Sequence, residues 1–173
     1  SKVTNMAQMF HNAENFNKPL NFDTKSVTNM NSMFSGATAF NQLVNFDTKN
    51  VTDMFSMFHG AKNFNKPVNF DTSRVANMNY MFFGTTAFDQ DLSSLNFAAA
   101  RAIENFVSLS KLSVKNYDKL LKKCHTQLKD NPVVHKPKSD NLKYCFAETE
   151  HDYLRNTRRW EFGDAKDCSE FNL

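Results

Sequence analysis

The sequence predicts an α/β repeat solenoid of 24-residue coils joined through parallel strands, closed by a small α+β cap at its C-terminal end. Three observations predict it. Val3, Val27, Val51 and Val75 stand 24 residues apart, and Met6, Met30, Met54 and Met78 keep the same step, as do Met9, Met33, Met57 and Met81. Two Phe columns run in parallel with them, Phe10 to Phe82 and Phe16 to Phe88. From residue 98 onward the period disappears and the composition changes. A unit this short cannot bury a core alone, so its apolar residues must point inward and continue from coil to coil. Residues 1–97 are therefore expected to be a four-coil solenoid and residues 98–173 a capping region. At a strand spacing of about 4.8 Å, four coils span about 20 Å.

Within each coil, Val3, Met6, Met9, Phe10, Ala13 and Phe16 recur every three or four residues, which predicts a short strand or turn running into one helical turn. Gly36, Gly60 and Gly84 share a column with Asn12, and residues of this kind tolerate left-handed backbone, so this column is expected to end the turn. The segment Leu20-Asn21-Phe22-Asp23 alternates apolar and polar and reads as a half-buried strand. Asp23-Thr24, Asp47-Thr48 and Asp71-Thr72 are expected to turn the chain into the next coil by bonding nearby backbone groups. One residue is inserted at Ser93 or Ser94, so Leu95 takes the place held by Phe22, Phe46 and Phe70.

Two Asn columns are present. Asn17, Asn41 and Asn65 lead to Asp89, and Asn21, Asn45 and Asn69 form the second. Stacked Asn side chains can ladder along a solenoid. With Leu20 and Phe22 pointing inward, Asn21 and Asp23 point outward. Asn21, Asp23, Asn45, Asp47, Asn69 and Asp71 are accordingly the candidate ligand-binding residues.

Val27-Thr28-Asn29-Met30-Asn31-Ser32-Met33-Phe34-Ser35-Gly36-Ala37, followed by Phe40-Asn41-Gln42, resembles the BspA-like leucine-rich-repeat family of bacterial surface proteins. So does Phe88-Asp89-Gln90-Asp91-Leu92-Ser93-Ser94-Leu95, where Leu95 stands for the family's usual aromatic. The first three coils are one residue shorter than the usual unit. The tail is similar to the closing segment that follows such repeats, through Leu112 to Asp118, Leu120-Leu121, Tyr144-Cys145, Leu154, Trp160 and Asp164 to Cys168. The resemblance implies a leucine-rich-repeat-like solenoid, a secreted or surface-anchored protein, and adhesive or host-interaction roles in some members. It also implies a disulfide between Cys145 and Cys168, and it supplies no catalytic residues. Cys124, where the family often has Trp, is expected to be a buried free thiol.

A solenoid end exposes core and strand edge, and residues 98–173 suit the task of covering it. Ala98 to Val107 reads as a short helix. Ser113 is placed to cap a helix from Val114 to about Leu128, ended by Asn131-Pro132. Val133-Val134 reads as a short strand, Ala147 to about Arg159 as a helix, Trp160-Glu161-Phe162 as a strand and Gly163-Asp164 as a turn.

Composition limits the function. The net charge is +3, and all of it lies beyond residue 100, where 14 basic residues face 11 acidic ones. This is no clustered basic face, so nucleic-acid binding is not indicated. No apolar run is long enough to cross a membrane. The 5 His do not cluster, the 3 Cys have no metal-binding spacing, and no phosphate-binding Gly loop exists. The Asp column offers too few oxygens per coil for calcium. Neither a cofactor, a metal nor an enzymatic activity is expected. The expected function is a cell-surface or secreted binding or adhesion module whose Asn/Asp face meets a protein or glycan ligand; the alternative is a structural spacer or stalk. A Thr lattice for ice or carbohydrate, from Thr4, Thr28 and Thr52 with Thr24, Thr48 and Thr72, ranks below both. The opening Ser-Lys-Val-Thr-Asn-Met is already in repeat register, from which either preceding coils or end-to-end self-contact at this edge is expected.

Overall fold

The structure, a computed structural model, describes residues 2–128, 138–145, 147–158 and 161–169. Residues 3–26, 27–50, 51–74 and 75–99 each make one coil, and residues 100–112 make the first half of a fifth. Parallel bridges join Asn5 to Asn29, Asn29 to Asp53, Asp53 to Asn77 and Asn77 to Ala102. Backbone amides are shared out in alternation. In the first coil Met6, Gln8, Phe10 and Asn12 donate to the carbonyls of Asn29, Asn31, Met33 and Ser35 in the second. The amides between them, on Met9, His11 and Ala13, close tight turns onto Met6, Gln8 and Phe10.

This alternation explains why neither the expected helical turn nor continuous parallel strands form. Two residues per coil adopt left-handed backbone: the Asn12, Gly36, Gly60, Gly84 column, as expected, and also Gln8, Ser32, Ser56 and Tyr80, at φ of 52–61°. Two left-handed residues four positions apart in each coil break both helix and strand geometry there. Pairing therefore shrinks to one bridge per junction. The Leu20–Asp23 stretch, expected as a strand, carries no ladder either. Pro19 and Pro67 lack an amide there, and inter-coil bonding in this half passes to side chains. The hydroxyls of Thr24 and Thr48 donate to the carbonyls of Asp47 and Asp71.

The core is a set of ring columns. Phe34, Phe58 and Phe82 lie face to face, with centroids 5.3 and 5.6 Å apart, and Phe40, Phe64 and Phe88 repeat at 5.9 Å. Met30, Met33, Met54 and Met57 fill the space beside them and are fully buried. In the first coil, by contrast, Val3 and Met9 are about half exposed, at 54% and 50%.

The expected helix over Ala98 to Val107 does not form. Residues 100–112 make the first half of a fifth coil, so the stack runs past residue 97. Phe82 donates to Phe106 and Gly84 to Ser108, a step of 24 where earlier coils use 23. The inserted residue near Ser93 is thus absorbed within the fourth coil. Asn105 and Leu109 take up the two left-handed positions.

Helix α1 (Val114–Leu128) lies across this last coil and buries Val114, Tyr117, Leu120, Leu121, Cys124 and Leu128. It takes over both side-chain ladders of the stack. Gln127 Oε1 accepts from the Phe97 amide (2.8 Å), where Phe97 replaces the laddering Thr. Asp89 Oδ1 accepts from the Ser113 amide (2.9 Å), the Ser113 hydroxyl (2.9 Å) and Asn116 Nδ2 (2.8 Å). Ser113, expected to cap the helix, gives its hydroxyl to Asp89 in the coil below.

Beyond α1, strand β1 (Lys138–Tyr144), helix α2 (Glu148–Arg158) and strand β2 (Glu161–Lys166) form a βαβ unit with two parallel strands. Gly163 and Asp164 lie inside β2, where a turn was expected; Gly163 pairs with Asp140. The buried Asp118 carboxylate ties α1 to this unit by accepting from the amides of Cys145 (3.0 Å) and Ala147 (3.3 Å). Cys145 and Cys168 are disulfide-bonded, with Cα atoms 5.0 Å apart. By the chain-entropy account, a loop of this length contributes about 3 kcal/mol. The expected features at Asn131-Pro132, Val133-Val134 and Trp160 lie outside the described residues.

Candidate functional site

The two Asn columns sit four residues apart in each coil, and the structure gives them opposite duties. In the first, Asn17 Oδ1 accepts from the Asn41 amide (3.0 Å), Asn41 from Asn65 (3.0 Å), and Asn65 from Asp89 (2.9 Å). Each side chain replaces the carbonyl that a strand would have offered. The column ends on Asp89 because the last rung must satisfy several donors at once, and an ionised carboxylate is acceptor only. Partial burial works to raise the Asp89 pKa, but the bonds from Ser113 and Asn116 outweigh it and hold the carboxyl below its ordinary range.

In the second column Asn21, Asn45 and Asn69 are exposed, and their side chains form no hydrogen bond to another described residue. Two residues on, Asp23, Asp47 and Asp71 each use one oxygen locally, accepting from the amides of Lys25 (3.2 Å), Lys49 (3.3 Å) and Ser73 (3.0 Å). These Asx turns fix the corner of each coil. The Ser73 hydroxyl and amide draw the Asp71 pKa below its usual value. The structure brings Asn21, Asp23, Asn45 and Asp47 around one depression, with Asn69 and Asp71 exposed at the same positions one coil on. The side-chain amides make no bond to a described residue, and each carboxylate gives one oxygen to its turn, Asp47 also pairing with Lys49 Nζ at 3.4 Å. A shallow depression of about 500 Å³ opens here, lined by Asn21, Asp23, Lys25, Asn45 and Asp47 among others.

One neighbour escaped the sequence reading. Leu43 is 53% exposed and shares its column with the exposed Pro19 and Pro67. The alternation that buries Val44 and Phe46 places Leu43 outward, so the signal was present. The face therefore carries an apolar row beside the amide row. The Thr lattice fares differently. Thr24, Thr48 and Thr72 are buried, and the exposed Thr28 and Thr52 donate along the stack to the carbonyls of Thr4 and Thr28. Their hydroxyls serve cohesion.

The free thiol of Cys124 is buried in α1, and burial pushes its pKa up to about 12. Such a thiol is unreactive at neutral pH. Among the described residues no group of three or more His, Cys, Asp or Glu is placed to hold a metal ion, and no helix is long and apolar enough to cross a membrane.

The sequence of this repeat stack matches a known family model. The profile described as "Mycoplasma protein of unknown function, DUF285" matches residues 1–94 and again 42–151. The chain belongs to the DUF285 family. The two matches overlap and together span both the repeats and the start of the cap. No curated protein and no solved structure matches the chain.

Proposed function

We propose that this DUF285 chain is a leucine-rich-repeat-like solenoid of the BspA-like kind, and that it serves as a secreted or cell-surface binding module. The ligand, a protein or glycan, lies along the face of Asn21, Asp23, Asn45, Asp47, Asn69 and Asp71. One observation carries the reading. Of two Asn columns with the same period, one is consumed by the ladder and the other, exposed, meets no described partner. A repeated row of free amide donors and acceptors, flanked by carboxylates and by the apolar Pro19, Leu43 and Pro67, suits a ligand that is itself extended. The Cys145–Cys168 disulfide supports an oxidising compartment.

The test is a binding screen of this chain against extracellular-matrix proteins, host receptors and glycans, beside a variant with all six residues replaced by Ser. The expected result is a ligand retained by the chain and lost by a variant with an unchanged melting curve. Retention of every ligand by the variant, or no ligand for either protein, would remove the binding reading and leave the spacer.

A further inference from the structure

A second surface lies on the other stretch of the coils, between the bridge column and the Gly column. Phe55, His59, Tyr80 and Phe83 come together there, all partly exposed. His59 and Phe83 stack with centroids 5.2 Å apart, and Tyr80 stands nearly perpendicular to Phe55 (6.0 Å), Phe83 (5.7 Å) and His59 (6.5 Å). None of these rings belongs to a core column. The repeat places small or polar residues at the same positions: Asn31 and Asn79 in line with Phe55, Ser32 and Ser56 with Tyr80, and Ser35 with Phe83. The core is complete without these rings, since Phe58 and Phe82 are already fully buried. Tyr80 moreover adopts left-handed backbone, at φ 58°, a conformation unfavourable for a bulky side chain.

The charge around the rings is one-sided. Residues 53–61, 77–85 and 102–110 contain no Lys or Arg, although the chain as a whole carries a net +3. Lys62, Arg101 and Lys111 flank these segments. The acids present are Asp53, whose Oδ1 accepts from the Phe55 amide (2.9 Å), and Glu104, whose carbonyl accepts from the Tyr80 amide (2.8 Å). Burial lowers the His59 pKa, so the ring adds no cation at neutral pH. Aromatic faces bordered by carboxylates attract a cation carried on an apolar stem, and arginine above all, since its planar guanidinium also stacks.

We infer that the Phe55, His59, Tyr80 and Phe83 cluster, with Asp53 and Glu104, is a docking site for an arginine-bearing segment of a partner polypeptide. The site is independent of the Asn/Asp face.

The probe is a fluorescent peptide alternating arginine and glycine, compared with its neutral citrulline counterpart by anisotropy. Two variants follow from the repeat itself. Phe55→Asn with Tyr80→Ser and Phe83→Ser removes three rings, and Asp53→Asn with Glu104→Asn removes the charge. Each change restores a residue that the same column carries in another coil, so the fold is expected to survive. The arginine peptide should bind the unmodified chain, and the citrulline peptide about tenfold more weakly. The ring variant should lose about tenfold in affinity. The charge variant should lose affinity and also its dependence on salt, whereas the six-residue Ser variant of the Asn/Asp face should bind as the unmodified chain does. Equal binding of the two peptides, equal binding by the ring and unmodified chains, or no peptide binding would overturn the inference. Capture of a glycan on the aromatic cluster with no peptide binding would overturn it as well.

Discussion

Asn41 and Asn45 lie in the same coil, four residues apart, and recur at the same step, yet they differ in what they are for. Asn41 accepts from the Asn65 amide through its side-chain oxygen, and its own amide donates to Asn17 below. Asn45 is exposed on the adjoining face. The difference lies in the backbone beneath them. Where the chain leaves its turn, no carbonyl of the preceding coil is aligned with the amide at Asn41 or Asn65, and a side-chain oxygen fills the gap. Around Asn45 the neighbouring Thr48 hydroxyl already makes the inter-coil bond, so the Asn is released. A repeated residue is structural where the backbone lacks a partner and available where another side chain supplies one.

The largest effect lies in the core that both columns flank. Phe58 is fully buried between Phe34 and Phe82, and Phe58→Ala should cost about 3–5 kcal/mol in a urea titration. It sets the upper end of the scale on which the two columns are compared. Next come the rungs. Asn41→Ala should cost about 1–2 kcal/mol by leaving the Asn65 amide without its acceptor, and adding Asn65→Ala should roughly double the loss. A neutral outcome for the double variant would mean that the ladder is decorative and that the two columns do not differ.

Acid probes the end of the ladder. Asp89 titrates below its ordinary range, and Asp91 is held at about 2: partial burial works to raise it, but hydrogen bonds from Lys119 and Ser93 prevail. An unfolded carboxyl titrates near about 4. Both groups therefore stabilise the junction with α1 fully above that pH, and the contribution is lost as pH falls from about 4 toward 2. Solvent screening keeps each contribution below about 1 kcal/mol. The stability of the chain measured across this range should drop, and Asp89→Asn with Asp91→Asn should flatten the slope. The smallest effect belongs to the outward strip, where Asn45→Ser or Asn69→Ser should change stability by less than about 0.5 kcal/mol.

The period made the coils and most of the core readable, because identical apolar columns at one step leave few places for Met30, Phe34 or Phe58 to go. It did not reveal how the coils are joined. The second left-handed column, Gln8 to Tyr80, hides behind residues that carry no conformational signature, so helical spacing was read where turns occur. The fifth coil was missed for a similar reason. Ala100, Ile103 and Val107 replace Val, Met and Phe at a step lengthened by one, and their spacing mimics a helix. The α1 helix was plain from its apolar side, whereas β1, polar from Lys138 to Asn141, offered no strand pattern. At the candidate site, alternation placed Asn21 and Asp23 outward but could not say which Asn column would be spent on the ladder, since that depends on the carbonyls of a neighbouring coil.

The most direct test sets the two columns side by side: urea stability and binding to the matrix-protein and glycan panel, for Asn41→Ala with Asn65→Ala against Asn45→Ser with Asn69→Ser. The account predicts that the first pair lowers stability by about 2–4 kcal/mol, whereas the second leaves stability unchanged and weakens or abolishes binding. A second pair that destabilises like the first, or that binds like the unmodified chain, would contradict it.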